Sequence, residues 1–187
     1  MEYRQLGYTG LRVSVLALGT MTFGGRGNFA LVGETDIDDA RRIVDRSLDA
    51  GVNFIDTADV YSAGRSEEIV GEIIEGRRHE IVLATKARYA MGDGQNDAGL
   101  SRAYLLRACE ASLRRLQTDY IDLYQAHRFD HETPLEETLR AFDDLVRQGK
   151  VLYVGVSEWR AEEIEAALKI ATRWALTGSS PTSRSTT

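Results

Sequence analysis

Cysteine is nearly absent from this chain of 187 residues, and a single thiol, Cys109, cannot form an internal disulfide. A reducing, cytoplasmic setting therefore fits the composition best. Cys109 falls within a helical pattern and reads as a small buried apolar residue. Basic excess is also missing. The formal net charge is -6, so nothing is available to neutralise a phosphate backbone, and a general nucleic-acid binder is excluded. No apolar run approaches the roughly 20 residues of a membrane span. The start, MEYRQLGYTG, lacks the basic-then-apolar layout of a secretory signal. Nucleotide loops are missing too: GTMTFGGRG, residues 19–27, does not have GxGxxG spacing, and no GK[ST] occurs. What is present, 43% hydrophobic and 28% charged residues, describes a globular protein of one domain with a sizeable core.

The first residues read as a hairpin, YRQLG and LRVSV around a YTG turn. The short apolar run Leu16–Leu18 follows, and then one coarse unit repeats: apolar run, loop, amphipathic helix. In residues 35–51, Ala40, Ile43, Val44 and Leu48 share a face and Gly51 closes the end. Ile69, Val70, Ile73 and Ile74 form the stripe of the next helix, with Gly76 as its stop. Leu105, Cys109, Leu113 and Leu116 align in a third. A fourth begins with Thr133 as cap, Pro134 at the first helical position and Glu136 completing a capping box. Its stripe is Leu135, Leu139, Phe142 and Val146. The fifth aligns Ile164, Leu168 and Ala171. Between the helices lie NFI, IVLAT, YIDLYQA and VLYVGV, near-continuous apolar runs that suit parallel strands buried on both faces. Such alternation predicts an α/β fold. Five units satisfy a doubly wound open sheet and are too few for a closed (β/α)8 barrel, so length alone favours the former.

The strand exits point the other way. The first apolar run leads into Gly19-Thr20-Met21; the others end at Asp56, Lys86, His127 and Ser157. In a barrel these ends converge on one mouth, whereas an open sheet uses only the strands at its switch point. Each residue has a plainer reading when taken singly. Asp56 could stabilise a turn, Tyr61 could lie in water, Lys86 could be a solvated strand end, His127 a satisfied imidazole and Ser157 a helix cap. Together, Asp, Lys, Tyr and His make a proton donor aimed at one oxygen: a lysine beside a phenol lowers its pKa, a carboxylate holds the lysine, and an imidazole orients the acceptor. That chemistry suits protonation of a carbonyl while a hydride arrives from elsewhere. A metal pair at His127 and His131 is disfavoured, because a strand end and loop provide no shared helical face and no third ligand is evident.

The stretches LALGTMTFGG, GVNFIDTADVYSAGRSEEIVGE, LATK, DYIDLYQAHRFD and TPLEETLRAFDDLVRQGKVLYVGVS occur in order from about Tyr3 to about Ile170. In them the chain resembles the aldo-keto reductases, especially the bacterial branch similar to potassium-channel β subunits. The resemblance implies a (β/α)8 TIM barrel, here incomplete with about five βα units, and an N-terminal hairpin plugging its bottom. It implies NADPH as hydride donor and a small carbonyl compound as substrate. Asp56, Tyr61, Lys86 and His127 fall on the family's catalytic residues. Gly19, Thr20, Met21, Asp56, Ser157 and Glu158 fall on positions around the nicotinamide end of the cofactor. Glu158 departs from the family's Asn or Arg; it can accept from the carboxamide NH2 but cannot donate to its carbonyl.

Three classes of function follow: an NADP-dependent oxidoreductase reducing aldehydes or ketones, a cofactor-binding regulatory module, or an inactive fragment. The oligomeric state stays open. The partial barrel is expected to occupy residues 1–170, and 171–187, where Ser and Thr crowd in, to be irregular. Allowed codons for that tail hide a second frame, which opens two bases into the Ala171 codon and reads DEMGFDRIVSNQPQY. This is similar to the family's sixth strand. The expectation is therefore a frameshifted product of a longer gene, with exposed edge strands and no reductase activity of its own.

Overall fold

The structure is a computed structural model that describes residues 1–178, with side chains to residue 173. Strands β1 (Tyr3–Gln5) and β2 (Arg12–Ser14) form the expected antiparallel hairpin, with Tyr3 opposite Ser14. Five further strands make one parallel sheet: β3 (Leu18–Gly19), β4 (Phe54–Asp56), β5 (Val82–Ala87), β6 (Ile121–Ala126) and β7 (Val151–Val156). Their spatial order equals their chain order, β3-β4-β5-β6-β7. That decides between the two architectures, since a doubly wound sheet reverses direction at a switch point and this one never does. The units advance one strand at a time, as in a barrel.

The helices follow the same progression: α1 (Ile37–Asp49), α2 (Arg65–Ile74), α3 (Arg102–Leu116), α4 (Leu135–Arg147) and α5 (Ala161–Gly178), each packed on the next. Asp36 caps α1 by accepting from the Asp39 amide at 2.9 Å, and Ser101 caps α3 by accepting from Tyr104. Ile69, Val70, Ile73 and Ile74 of α2, with Leu105, Cys109, Leu113 and Leu116 of α3, are all buried against Ile55, Leu83 and Tyr124 of the sheet. Gly71 lies where α2 meets the end of α3. A Cβ there would stand 2.5 Å from the Arg115 carbonyl oxygen and 2.8 Å from the Leu116 carbonyl carbon.

The hairpin attaches at the amino ends of the strands. Asn53, immediately before β4, accepts from the Ser14 amide at 2.8 Å and donates to the Arg12 carbonyl at 3.1 Å. Tyr3 donates to the Gly51 carbonyl from the same side. This leaves the carboxyl ends of the strands clear at the opposite rim.

Several local expectations are corrected. Thr133 is not the cap of α4: its hydroxyl donates to Asp130 Oδ2 at 2.7 Å, Pro134 holds the cap position, and no side chain caps the helix. Asp130 takes over the local ordering, accepting also from the Leu100 and Glu132 amides. The buried face of α4 is Thr138, Ala141, Phe142 and Leu145, with the Thr138 hydroxyl satisfied by donating to the Leu100 carbonyl; Val146 is exposed. The α5 stripe fares similarly, since Ile164 and Leu168 are exposed, as are Leu152, Val154 and Val156 of β7. Among the described residues β7 has a strand on one side only. Helix α5 also runs to Gly178, past the point where irregular chain was expected at residue 171. Ala, Arg, Trp and Leu in that stretch all tolerate a helix, and no proline interrupts it. Residues 179–187 lie outside the described residues.

Candidate active site

Parallel register brings the strand exits together. Gly19 stands beside Asp56, Lys86 beside Gln125, and Ala126 beside Val156. The ladder then continues past the strands: the His127 amide donates to the Ala87 carbonyl at 3.1 Å, and Ser157 donates to Ala126 at 2.9 Å. Asp56, Lys86, His127 and Ser157, which are far apart in sequence, thereby reach one rim. Tyr61 joins them from a short 3₁₀ turn, Tyr61–Gly64, that follows β4.

Lys86 is 5% exposed, and its ammonium is matched on two sides. Its Nζ lies 2.6 Å from Asp56 Oδ2 and donates to the Thr57 carbonyl at 2.8 Å. Gln125 Nε2 donates to the other oxygen of Asp56 at 3.2 Å, so both carboxylate oxygens are held. The Lys86 ammonium stands 5.2 Å from the centre of the Tyr61 ring. His127 meets Tyr61 edge to face with centroids 5.7 Å apart, and Tyr89 meets His127 at 4.9 Å. Phe29 closes the other side of Tyr61 at 5.5 Å. An ion pair thus underlies a phenol, with a small aromatic wall around it.

The electrostatics differ from expectation in one respect. The sequence reading has lysine lowering the phenol pKa; here burial pushes Tyr61 up to about 12, with Asp56, Glu158 and Tyr89 adding to it. Lys86 is neutralised by Asp56 at contact distance, so the pair presents a dipole rather than a bare charge, and desolvation wins. His127 is held down to about 4 by burial and by the charge of Lys86, so its imidazole is neutral at neutral pH. Its Nδ1 is buried with no hydrogen-bond partner. A protonated phenol beside a neutral imidazole can together bind and protonate an oxygen.

The backbone that carries Tyr61 is unusual. Ser62 (φ 51°, ψ 37°) and Ala63 (φ 53°, ψ 43°) are consecutive left-handed residues, and neither is glycine. Such conformers cost roughly 1–2 kcal/mol each. Ser62 is fully buried, and its hydroxyl donates to the Phe23 carbonyl at 2.8 Å, which ties the turn to the loop after β3.

The positions assigned to a cofactor are unequal. Gly19 faces open space, since a Cβ there would meet nothing within 4 Å, and Met21 is exposed. Thr20 points inward: it is fully buried and its hydroxyl is 2.8 Å from that of Ser66. Ser157 is half-buried at the end of β7. Glu158 is exposed, has φ 55°, and lies 3.8 Å from Arg128. His131 faces Glu163 at 3.9 Å and stacks near Phe129 rather than joining His127. Among the described residues no group of three His, Cys, Asp or Glu could hold a metal, and no helix is long and apolar enough to cross a membrane.

Sequence reasoning missed Gln125, whose position two residues after Leu123 on the same face of β6 was a usable signal. It also missed the buried Glu67, which accepts from Thr85 at 2.5 Å and from Arg115 at 2.7 Å behind the site. Glu67 reads in sequence as one of three polar residues opening a helix, and nothing local distinguishes it.

Comparison with known proteins places these observations. The sequence pattern of the Aldo/keto reductase family matches residues 15–178. The chain is 41% identical to a probable voltage-gated potassium channel subunit beta of Oryza sativa subsp. japonica, over 95% of this chain and 53% of that protein. It is 47% identical to the uncharacterized oxidoreductase YrpG of Bacillus subtilis (strain 168), over 85% of this chain and 50% of that one. Among solved structures it superposes on an aldo-keto reductase from Bacillus halodurans in its holo form. There the TM-score is 0.77 and the identity 43%, covering 90% of this chain and 54% of the other. The chain spans about half the length of the curated relatives it matches.

Proposed function

This chain belongs to the aldo/keto reductase family, and from that premise we propose that it carries the proton-donating end of an NADPH-dependent reductase of aldehydes or ketones. The observation that supports this reading is the Lys86–Asp56 ion pair beneath the Tyr61 ring, beside a neutral His127. Bound NADPH would supply a hydride to the carbonyl carbon. Tyr61 then gives its proton to the carbonyl oxygen, and the O–H bond of the product forms as that of the phenol breaks. Lys86 presents the positive end of the Lys86–Asp56 pair to the Tyr61 ring, Asp56 and the Thr57 carbonyl fix Lys86 in place, Gln125 holds Asp56, and His127 orients the oxygen before transfer.

The residues at the rim suit the nicotinamide carboxamide. Ser157 offers a hydroxyl that both donates and accepts, Glu158 offers an acceptor for the amide NH2, and the open space at Gly19 admits a planar ring. Thr20 would act from beneath the rim without bonding the ring: its side chain is turned inward, its amide donates to the Asp56 carbonyl, and its own carbonyl accepts from Phe23 and Ser66.

A second reading is a cofactor-binding regulatory module, supported by the similarity to channel β subunits in plants. Two measurements on the purified chain separate the readings: fluorescence titration with NADPH, and NADPH consumption with a small aldehyde. Turnover supports the reductase; binding without turnover supports the regulatory module; absence of both supports an inactive fragment. Where turnover is present, Tyr61→Phe is expected to lower it by about 10²–10⁴-fold while cofactor affinity stays unchanged. A Tyr61→Phe variant that turns over at the unmodified rate would show that another group donates the proton.

A further inference from the structure

A cavity of about 200 Å³ opens beside α3, and none of the four rim residues lines it. Asp59, Met91, Asp97, Arg107, Ala111 and Arg115 are among its walls. The charges there almost cancel. Arg115 Nε donates to Glu67 Oε2 at 2.7 Å, and Arg107 donates to Asp97 Oδ1 at 3.3 Å. Each guanidinium therefore has its own carboxylate, and one acid is left over. That acid, Asp59, is fully buried, and neither of its oxygens makes a well-formed hydrogen bond; the Val60 amide exerts a pull on the carboxyl but lacks the geometry of one. Such a position favours the protonated form, because an unmatched buried charge is more costly than a neutral carboxyl.

We propose that this cavity binds a small organic cation of the guanidinium or amidinium class, with the Asp59 carboxylate as its counter-ion. The two free oxygens of Asp59 match the two parallel N–H groups of such a fork. The Tyr104 ring, Ala108, Ala111 and the Met91 side chain suit a short apolar stem. Asp59 lines the cavity but has no exposed surface, so the cation reaches it as a lining side chain moves aside, and that of Arg107 is already 58% exposed. The charge balances: one cation enters, and the Asp59 proton leaves to solvent. Burial and, secondarily, Glu67 of α2 hold the Asp59 carboxyl well above the ordinary carboxylate range, against the opposing pull of Arg115, the Val60 amide and Lys86. Tyr104 and Tyr124, phenols that feel the charge of this acid, are pushed up by burial and stay neutral, so the released proton comes from Asp59.

The test is calorimetric titration of the full chain with methylguanidinium at neutral pH, in two buffers of different protonation enthalpy. Expected is saturable binding with release of up to one proton per ligand. Asp59→Asn should weaken binding at least about tenfold and abolish proton release, as removal of one partner of a buried charge pair does. Ala111→Met fills part of the cavity without changing any charge, and should also prevent binding. Failure of methylguanidinium to bind, unchanged binding in either variant, or equal binding of neutral acetamide without proton release overturns the proposal.

Discussion

Replacing His127 with glutamine should flatten the acid side of the stability curve. In the folded chain burial and Lys86 hold this imidazole down to about 4, against 6.5 for the free group. Below 6.5 the unfolded chain takes up a proton that the folded chain refuses until about 4. The contribution of His127 is therefore complete above 6.5 and is lost as pH falls toward 4. Between about pH 7 and about pH 4.5 the full shift corresponds to about 2.4 kcal/mol of lost stability. The ring is half-buried rather than enclosed, and solvent screening brings the expectation to about 1 kcal/mol. Urea unfolding followed by far-ultraviolet circular dichroism at both pH values, for the unmodified chain and for His127→Gln, isolates this quantity. The carboxylates titrate in both proteins and cancel in the comparison. Parallel losses in the two, or a greater loss in the glutamine variant, would refute the assignment of a depressed imidazole at the rim.

Gly71→Ala should destabilise the chain although alanine is the better helix former. The intrinsic gain is up to about 1 kcal/mol, but the new Cβ would stand 2.5 Å from the Arg115 carbonyl oxygen, and overpacking against backbone costs about 1–3 kcal/mol or more; a raised urea midpoint would contradict the close approach of α2 and α3. Asp59→Asn should stabilise the fold at neutral pH. With its folded pKa raised, Asp59 contributes stability below about 3.8 that is lost as pH rises, so the amide, which has no proton to lose, should make the stability curve less steep above that value. Circular dichroism melts across pH would show the opposite ordering if Asp59 were ionised in the fold.

The strand exits were legible because near-continuous apolar runs end abruptly at polar residues, and parallel register then has no choice but to align them. Lys86, Asp56 and His127 are found this way. Stripes on α2 and α3 were equally readable, since their repeating positions, Ile69, Val70, Ile73 and Ile74 and Leu105, Cys109, Leu113 and Leu116, are aliphatic or cysteine and all buried; the buried Ser66, Tyr104 and Ser112 beside them carry no such signal. On α4 the rule failed at Thr138: a hydroxyl that donates to a buried carbonyl counts as polar in sequence but as core in space. On α5 and β7 the residues were correctly seen as apolar, yet apolar character does not say whether a covering layer is present. Asp59 and Glu67 were invisible for a different reason. They sit beside Asp56 and Glu68 with the same chemistry, and only burial by distant segments separates them. The phenol pKa was misjudged because the carboxylate was credited with holding Lys86 but not with opposing its charge at the phenol, and because burial of the ring was left out.

The paired left-handed residues after Tyr61 bear on how this protein would respond to selection. Ser62 and Ala63 keep a conformation that glycine or asparagine adopts at lower cost, so single substitutions there are ready sources of heat tolerance. Breeding for survival at high temperature alone would find them early. Each such gain would loosen the turn whose stiffness, together with the Ser62 tether to Phe23, sets the bearing of the phenol. Robustness and aim are thus in competition at two adjacent codons, and lineages living at different temperatures should resolve that competition differently.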